Sequence, residues 1–231
     1  IIFTMQPSTL EEAETVSGHI PMVVIGDRNT ALNVDTIEVN NYNAGILIAQ
    51  HMQKLGHKHV AYISTTLATG PSPRTRRLEG IRTELKTDPE ATLIVKCRNF
   101  TPKEELENLF IEYQVGYELT KECLDDKKLT AFVAVNDMVA YGVLDALQNE
   151  GLHVPEDYSV CGFDNIFPSG FHGISPTSVE HYIMDKGHNA AEILLSKIEH
   201  DSKNNITRVE YQHRLQARGT TAPPRTHVLP R

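Results

Sequence analysis

Residues 130–165 read TAFVAVNDMVAYGVLDALQNEGLHVPEDYSVCGFDN, and they carry the clearest structural pattern in the chain. The stretch opens with the apolar run Thr130–Val135 and closes with a second one, Tyr158–Phe163, as expected for two buried strands. Between them, apolar residues recur every four positions and so share one face of a helix. These residues are Val139, Val143 and Leu147. Gly151 and Pro155 mark the end of that helix, so the stretch predicts a strand, a helix and a strand.

A pair of polar residues follows each of these strands: Asn136-Asp137 follows the first and Asp164-Asn165 the second. Two strands joined by a helical crossover are expected to run parallel, with a right-handed connection. Both pairs therefore lie at the same edge of one sheet, outside the carboxyl ends of its strands, where open α/β sheets bind ligands. Two structural alternatives stay open, because Asn136 or Asp137 can cap the helix and the second pair can form a turn.

The composition limits the class of protein. The chain has 231 residues, of which 40% are hydrophobic, and a net charge of −8. That length suits one large domain or two small lobes with separate cores. An acidic chain is poorly suited to a phosphate backbone, so we expect it not to be the DNA-reading surface of its protein. The three cysteines lie far apart in sequence. That spacing indicates a reducing compartment such as the cytoplasm, and no run is apolar for long enough to span a membrane.

The rest of the chain predicts an α/β fold with two lobes. A short helix capped by Ser8 or Thr9 is expected near the start. From Met22 onward, most predicted strands are followed by a predicted helix, which is typical of doubly wound parallel sheets. Val34–Asn41 and Pro176–Tyr182 lack a regular crossover helix, so we expect the chain to pass between the lobes there. The predicted fold is therefore two doubly wound parallel-sheet lobes, of which the first is incomplete. The predicted N-terminal lobe comprises residues 1–40 plus 183–205, the C-terminal lobe residues 41–182 plus 206–220, and a Pro-rich tail residues 221–231.

Three further expectations concern single elements. A long helical stretch over residues 101–124 is expected to break near Val115-Gly116. The helix over residues 184–198 is expected to turn an apolar face inward, and residues 209–215 are expected to form one final strand. The inward residues of that helix are predicted to be Ala191, Leu194, Leu195 and Ile198.

Side chains at the carboxyl ends of the predicted strands form a candidate binding site. They comprise an aromatic ring, arginines, two carboxylates and an amide. A hydroxyl-rich ring such as a sugar or a nucleoside needs such a set, because its apolar face stacks on an aromatic ring and planar polar groups bind its hydroxyls. Taken singly, each residue has a structural alternative: a solvated helix face for the arginines, a core position for the phenylalanine and a cap for the asparagine. The residues are Asp27, Arg74, Arg76, Arg77, Phe100, Asn136 and Asp164.

Nothing in the sequence predicts catalysis. His51, His57 and His59 lie close together, but no Cys, Asp or Glu at suitable spacing completes a tetrahedral metal site. The sequence contains no nucleophile elbow, phosphate-binding loop or HExxH motif. We therefore predict no catalytic residue, no metal site and no cofactor.

Several motifs resemble the lac/galactose repressor family of bacterial transcription regulators. PMVVIGDR (residues 21–28) is similar to the family's Pro-Val-Val-x-Ile-Asp-Arg strand, and RTRRLEGIRTEL (residues 74–85) to its Arg-x-x-Gly-Phe helix. The stretch from Asn136 through GLHVPEDYSVCGFDN is the most specific match. RLQARGTTAPPR (residues 214–225) is similar to the closing Arg-x-Ser-Thr-Ala-Pro of the family. The resemblance covers essentially the whole chain.

This resemblance implies a core like that of periplasmic sugar-binding proteins, with two lobes, three crossovers and an effector in the cleft. It also implies a homodimer whose lobes shift when the effector binds, and which then grips or releases operator DNA. The helix-turn-helix that would read the DNA is absent from this chain, as are the first strand-helix-strand units, and the start at Ile1 suggests a fragment. The implied effector contacts are Asp27, Arg77, Phe100, Asn136 and Asp164.

Two other functions compete with this one. A sugar-binding protein of a transport system shares the fold, but it needs a signal peptide and an oxidising compartment. An α/β enzyme such as a sugar isomerase or kinase is disfavoured because no phosphate loop or base-nucleophile motif is present. We therefore interpret the chain as the effector-sensing and dimerisation core of a bacterial transcriptional repressor.

Overall fold

The protein consists of two compact α/β units. The computed structural model describes residues 1–4, 15–17, 19–27, 33–67, 72–171, 175–200 and 205–225. Unit 1 comprises Ile1–Asn40 and His181–His213, and unit 2 comprises Asn41–Glu180 and Arg214–Arg231. The chain thus passes from one unit to the other three times.

The elements named below have the following bounds. The strands are β1 (Ile2–Phe3), β2 (Val23–Asp27), β3 (Asp35–Val39), β4 (His59–Ser64), β5 (Thr92–Cys97), β6 (Ala131–Ala134), β7 (Ser159–Asp164), β8 (Thr177–Glu180), β9 (Arg208–Tyr211) and β10 (Leu215–Gln216). The helices are α1 (Asn41–Leu55), α2 (Pro73–Leu85), α3 (Pro102–Glu107), α4 (Ile111–Cys123), α5 (Asp137–Asn149) and α6 (Ile183–His200), and a 3₁₀ turn covers Phe167–Gly170.

Unit 2 is built on a six-stranded sheet with the order β10-β8-β7-β6-β4-β5. Its strands pair in parallel, apart from the antiparallel pairing of β10 with β8. Strands β6 and β7 are neighbours joined by α5, which confirms the crossover predicted for residues 130–165. Phe132, Leu147 and Val160 are fully buried there, because parallel strands of this kind carry helices on the sheet.

Unit 1 has a four-stranded sheet with the order β1-β2-β3-β9, and each of its pairings is parallel. Helix α6 packs on β2 and β3. Val23, Ile37 and Ala190 are fully buried and form a small core between this helix and the sheet. The predicted α/β class therefore holds in both units. The helix expected at Ser8 or Thr9 lies outside the described residues.

The segment over residues 209–215 was expected to be one strand, and it is two. Strand β9 pairs in parallel with β3 in unit 1, whereas β10 pairs with β8 in unit 2. Alternating apolar residues identify a strand but not its partner, so the pattern could not reveal the crossing between His213 and Arg214. The predicted lobe boundaries change accordingly, because residues 181–182 and 206–213 belong to unit 1.

The start of the predicted Pro-rich tail belongs to unit 2. The guanidinium carbon of Arg225 lies 4.4 Å from the ring centroid of Tyr158, over its face. The backbone N–H of Ala222 donates to Ser159 Oγ at 3.0 Å, and the carbonyl of Ala222 accepts from the same hydroxyl. Residues 221–225 therefore close the amino-terminal edge of the unit 2 sheet. Residues 226–231 lie outside the described part.

Helix α6 buries a different face from the predicted one. Lys186, Ala190 and Lys197 are buried, whereas Leu195 and Ile198 are exposed. Of the predicted inward residues, Leu194 packs partly buried against the unit 1 core. The centre of the buried face is nevertheless shifted by about one residue position, which corresponds to a turn of about 100° around the helix. A buried ion pair explains the difference, because Lys197 Nζ lies 2.8 Å from the buried carboxylate Oδ2 of Asp35. Within the described ranges, no helix combines the length and hydropathy needed to cross a bilayer.

Glycines set the spacing between α4 and α5. A Cβ added to Gly116 would lie 2.1 Å from the carbonyl oxygen of Val139, and one added to Gly142 would lie 2.0 Å from that of Tyr113. The predicted helix break near Val115-Gly116 is therefore wrong. The chain interrupts its helix earlier, between Glu107 and Ile111, and Gly116 is a contact position inside α4.

We expect Gly142→Ala to lower the free energy of unfolding by about 1–3 kcal/mol, because the added methyl group overlaps backbone atoms that cannot move aside separately. Urea unfolding followed by circular dichroism measures this change.

Gly170→Ala is the matched control in the same unit, since a Cβ there meets no atom within 4 Å. Its effect should stay within about 0.5 kcal/mol. Equal stability of the two variants would contradict the close helix contact.

Candidate functional site

The local sequence places Arg77 on the buried face of α2. Ser72 caps this helix, since its hydroxyl accepts the backbone N–H of Thr75 at 3.2 Å, and Pro73 occupies the first helical position. Leu78 and Ile81 share the buried face with Arg77. The arginine is 5% exposed, so its charge must be satisfied inside the protein.

The guanidinium of Arg77 joins three separate chain segments. Its Nη2 lies 2.8 Å from Asp164 Oδ1, its Nη1 donates to the carbonyl of Val135 at 2.5 Å, and its Nε donates to Asn41 Oδ1 at 2.9 Å. Its guanidinium carbon also lies 4.7 Å from the ring centroid of Phe163. The arginine therefore lies at the carboxyl ends of β6 and β7, the edge predicted to bind a ligand.

The other two candidate arginines have different partners. Arg74 pairs with Glu105 at 2.9 Å and with Glu112 at 3.6 Å, and Arg76 pairs with Glu79 on its own helix at 3.1 Å. The structural alternative thus holds for Arg76, whose side chain is exposed. Only Arg77 among the three contacts the ends of the strands.

Asn136 and Phe100 lie along the same edge of the unit 2 sheet. Asn136 caps α5, because its Oδ1 accepts the backbone N–H of Val139 at 2.9 Å. Phe100 follows β5, packs against the core and donates its backbone N–H to Thr66 Oγ1 at 2.8 Å. The strand order β7-β6-β4-β5 therefore puts Asp164, Asn136 and Phe100 at one rim.

Asp27 is the last residue of β2 and belongs to unit 1. The structure thus brings Arg77 and Asp164 into contact, places Asn136 next to the Val135 carbonyl that Arg77 binds, and places Phe100 further along the same rim. The fifth predicted residue lies at a strand end of the other unit. Its part in a common site remains a prediction.

Asp137, the alternative candidate for the cap of α5, holds the loop that borders the rim. It is fully buried, and Oδ1 accepts from Ser178 Oγ at 2.7 Å. Oδ2 accepts from the Ile166 backbone N–H at 3.1 Å and from the hydroxyl of Ser169. This carboxylate therefore fixes the start of α5 to the loop that follows β7. The signal in the sequence was its place directly after a buried strand, but its partners are distant in sequence.

Burial raises the pKa of the Asp137 carboxyl group to about 6, because the buried charge loses its hydration. The hydrogen bonds from Ser169 and Ser178 act in the opposite direction, since they favour the charged form. Gly162 leaves space for this carboxylate, because a Cβ at that position would lie 2.6 Å from Asp137 Oδ1.

The histidines considered for a metal site have structural partners. His57 Nδ1 lies 2.8 Å from Thr130 Oγ1, and His57 Nε2 lies 2.9 Å from the carbonyl oxygen of Ala222. Burial lowers the pKa of His57. His59 Nδ1 lies 2.7 Å from the hydroxyl of Thr92. Across the described part of the chain, no three His, Cys, Asp or Glu side chains are grouped so that they could hold a metal ion.

The rim therefore carries a buried guanidinium ion-paired with a carboxylate, and a capping amide and an aromatic residue lie along it. Planar charged groups of this kind bind pairs of hydroxyls, and an aromatic ring offers a stacking surface. The arrangement is chemically suited to a polar ring.

Comparisons with known proteins agree with this fold. The family model described as "Periplasmic binding protein-like domain" matches residues 49–221. The chain is 36% identical over 182 residues to the HTH-type transcriptional repressor PurR of Haemophilus influenzae, an alignment covering 78% of this chain and 51% of that protein. It is 28% identical over 209 residues to the arabinose metabolism transcriptional repressor of Geobacillus stearothermophilus, covering 88% and 54%.

A solved structure is also similar. The LacI family transcriptional regulator from Enterococcus faecium with bound ribose superimposes with a TM-score of 0.77 at 25% identity, covering 96% of this chain and 79% of that chain. The chain spans about half the length of the curated relatives it matches.

We expect Asp137→Asn to destabilise the protein by about 1–3 kcal/mol at pH 7, because an amide NH₂ would then face an N–H or hydroxyl donor. The loss should grow as the pH falls. Wild-type Asp137 binds a proton in the folded state below about pH 6 but in the unfolded state only below about pH 4. As the pH falls from about 6 to about 4, the wild-type protein therefore gains stability by protonation of Asp137. The amide of the variant does not titrate and gives no such gain.

Urea unfolding between pH 4.5 and pH 7.5 measures the difference between the two proteins. Asp125→Asn, at an exposed position, serves as the control and should follow the wild type across this range. A constant gap between wild type and Asp137→Asn would refute the assigned titration.

Proposed function

Because the chain belongs to the periplasmic binding protein-like domain family, we propose that it is the effector-sensing core of a bacterial transcriptional repressor. The resemblance to the lac/galactose repressors inferred from the sequence is confirmed by its relatives, which are transcriptional repressors rather than enzymes. A transport protein is the alternative, and these relatives do not favour it. The repressor would act in the cytoplasm, where its DNA lies.

The contact between Arg77 and Asp164 carries the proposal for the ligand. A buried guanidinium at 2.8 Å from a carboxylate presents a donor group and an acceptor group side by side at the ligand-binding edge of a parallel sheet. Neighbouring hydroxyls of a furanose or pyranose ring match such a pair. We therefore assign a sugar or a nucleoside-like molecule as the effector, in agreement with the ribose bound to the related Enterococcus faecium regulator.

Operator DNA would be read by a helix-turn-helix outside this chain. The net charge of −8 supports this division, because DNA affinity comes chiefly from clustered Lys and Arg. The effector would then change DNA affinity through a coupling free energy of about 1–3 kcal/mol, which is typical of allosteric proteins.

An apolar surface on unit 2 supports a homodimer. Leu109, 84% exposed, precedes α4, and Phe167, 81% exposed, lies in the 3₁₀ turn. The same unit has a groove of about 570 Å³ that is lined by Tyr113 of α4 and by Tyr141 and other residues of α5. The hydroxyls of Tyr141 and Ser169 are 2.7 Å apart, which connects the groove to the turn.

Large exposed apolar side chains beside a groove are typical of protein interfaces. A second copy of the chain is the partner that the family relationship favours. The same surface would meet its counterpart across a twofold axis, as in most homodimers.

We expect a panel of pentoses, hexoses and nucleosides to contain a compound that raises the melting temperature of the wild type. At a concentration of about 100 times Kd the ligand adds about 2.7 kcal/mol, or about 5–10 °C for a chain of this size. Differential scanning fluorimetry measures the shift. The shift should be absent in Arg77→Ala and reduced in Asp164→Asn.

Arg76→Ala is the matched control, because it removes a neighbouring arginine that is exposed. It should respond to the ligand as the wild type does. An unchanged shift in Arg77→Ala would disprove the assigned site, and the absence of any shift across the panel would disprove the ligand class.

We expect the double variant Leu109→Ser, Phe167→Ser to dissociate into monomers at concentrations where the wild type is dimeric. Each buried apolar side chain contributes about 1.5–3 kcal/mol to an interface of this kind. Sedimentation velocity distinguishes the two states. Ile206→Ser, at an exposed apolar position in unit 1, should leave the dimer intact. A monomeric wild type, or a dimeric double variant, would rule out this surface.

A further inference from the structure

Strand β7 ends in an unusual backbone conformation. Asp164 has φ of 95° and Asn165 has φ of 48°, so two consecutive residues other than glycine lie at positive φ. Asparagine tolerates the left-handed region better than most residues, but this conformation at Asp164 is rare for a residue with a side chain. Such a backbone persists when the surrounding structure holds it, and here it accompanies the contact of Asp164 with Arg77 at 2.8 Å.

Asn165 holds this turn from the side of β8, in addition to the bonds that Asp137 makes with the following residues. Its backbone N–H donates to Ser178 Oγ at 3.0 Å, and its side-chain NH₂ donates to the carboxylate of Glu180. Its side-chain oxygen accepts from the guanidinium of Arg218. The amide of Asn165 therefore donates from its NH₂ group to a carboxylate and accepts at its oxygen from a guanidinium, so both of its polar ends have a charged partner.

Arg218 is itself fixed at the beginning of β8. Its Nη1 donates to the carbonyl of Pro176 at 2.8 Å, and its backbone N–H donates to Thr177 Oγ1 at 2.9 Å. It belongs to the carboxyl-terminal segment, which Arg225 holds at the other end of unit 2 through the carbonyls of Asp157 and Leu129.

We propose that Arg218 is a positioning residue for the effector site: through the side chain of Asn165 it holds the turn after β7 and thereby orients Asp164 toward Arg77. Arg218 does not touch the ligand. The carboxyl-terminal segment is thus part of the machinery of the site, although it lies more than 50 positions after Asp164 in the sequence. This inference rests on the proposed function, because it treats Arg77 and Asp164 as ligand contacts.

The first test needs no ligand. The Nε–H group of Arg77 is followed in a ¹H–¹⁵N correlation spectrum of the whole chain, for the wild type, Arg218→Met and Asn165→Gly. Glycine accepts positive φ, so Asn165→Gly removes the two side-chain bonds without forcing the backbone to change. We expect the Arg77 Nε–H signal to shift and broaden in both variants, because its carboxylate partner is no longer held in one orientation.

Arg225→Met is the matched control. It loosens the same carboxyl-terminal segment at the far edge, so it should lower the melting temperature while leaving the Arg77 signal in place. The proposal is overturned if the Arg77 signal is unchanged in Arg218→Met and Asn165→Gly, or if Arg225→Met alters it equally.

The second test uses D-ribose as the probe, with binding measured by isothermal titration calorimetry. Arg218→Met and Asn165→Gly should bind D-ribose about fivefold or more weakly than the wild type. This is the change expected when one hydrogen bond between Asp164 and the ligand is lost because the carboxylate is no longer held in position. Arg225→Met should bind as the wild type does. Equal affinity in all four proteins would overturn the proposal. If the wild type itself does not bind D-ribose, this ligand is wrong for the proposed function, and the Arg77 signal still decides whether Arg218 positions Asp164.

Discussion

A guanidinium buried at the carboxyl end of a parallel sheet must be satisfied by protein groups on every side that lacks water. Arg77 meets this constraint with a carboxylate, a backbone carbonyl and an amide, which come from three different segments of unit 2. Removal of one such partner would leave a charge or polar group unmatched in a dry place. Arg77 therefore links the chain segments that form the rim of the sheet, in addition to the hydrogen bonds between the strands that end there.

The helices can hold such a rim because they approach each other closely. Gly45 and Gly80 bring α1 and α2 into backbone contact, since a Cβ at either position would lie about 2 Å from a carbonyl oxygen of the other helix. Gly116 and Gly142 do the same for α4 and α5. Close packing makes the helix positions insensitive to small disturbances, because a helix in contact with the backbone of another cannot slide without a clash. Arg77 on α2 and Asn136 at the start of α5 are therefore held in fixed positions by the packing of these helices.

Much of unit 2 could be predicted from the sequence. Continuous apolar runs separated by a helical period are the expected pattern for parallel strands and their crossovers, and residues 130–165 contain little else. The edge that carries Asp164 and Asn136 follows from that topology. The topology does not tell which arginine contacts the strand ends, because Arg74, Arg76 and Arg77 lie within about one helical turn. The packing of α2 on the sheet determines which of them faces the strands.

Other features depend on contacts between distant parts of the chain. The partners of Asp137 lie 29 to 41 positions later, so no local pattern reports them. The buried face of α6 includes Lys197, which enters because Asp35 is there to pair with it. The division of residues 208–216 between two sheets is likewise invisible in a run of alternating residues. In each case the position of the residue or strand depends on a group distant in sequence, which a local sequence pattern does not reveal.

The three passages of the chain between the units also govern how the protein is assembled. Unit 1 combines two stretches separated by the whole of residues 41–180, so ribosomes must release β9 before its sheet can close. Unit 2 anchors both ends of the intervening stretch itself, since Arg77 binds Asn41 and Asn165 binds Glu180. Once unit 2 has formed, the two ends of this stretch are already close together, so folding of unit 1 no longer carries the entropic cost of closing a long loop. Chain entropy thus favours closing the unit 1 sheet after most of unit 2 has formed, although β10 and Arg218 of unit 2 are synthesised after β9 and join their unit last.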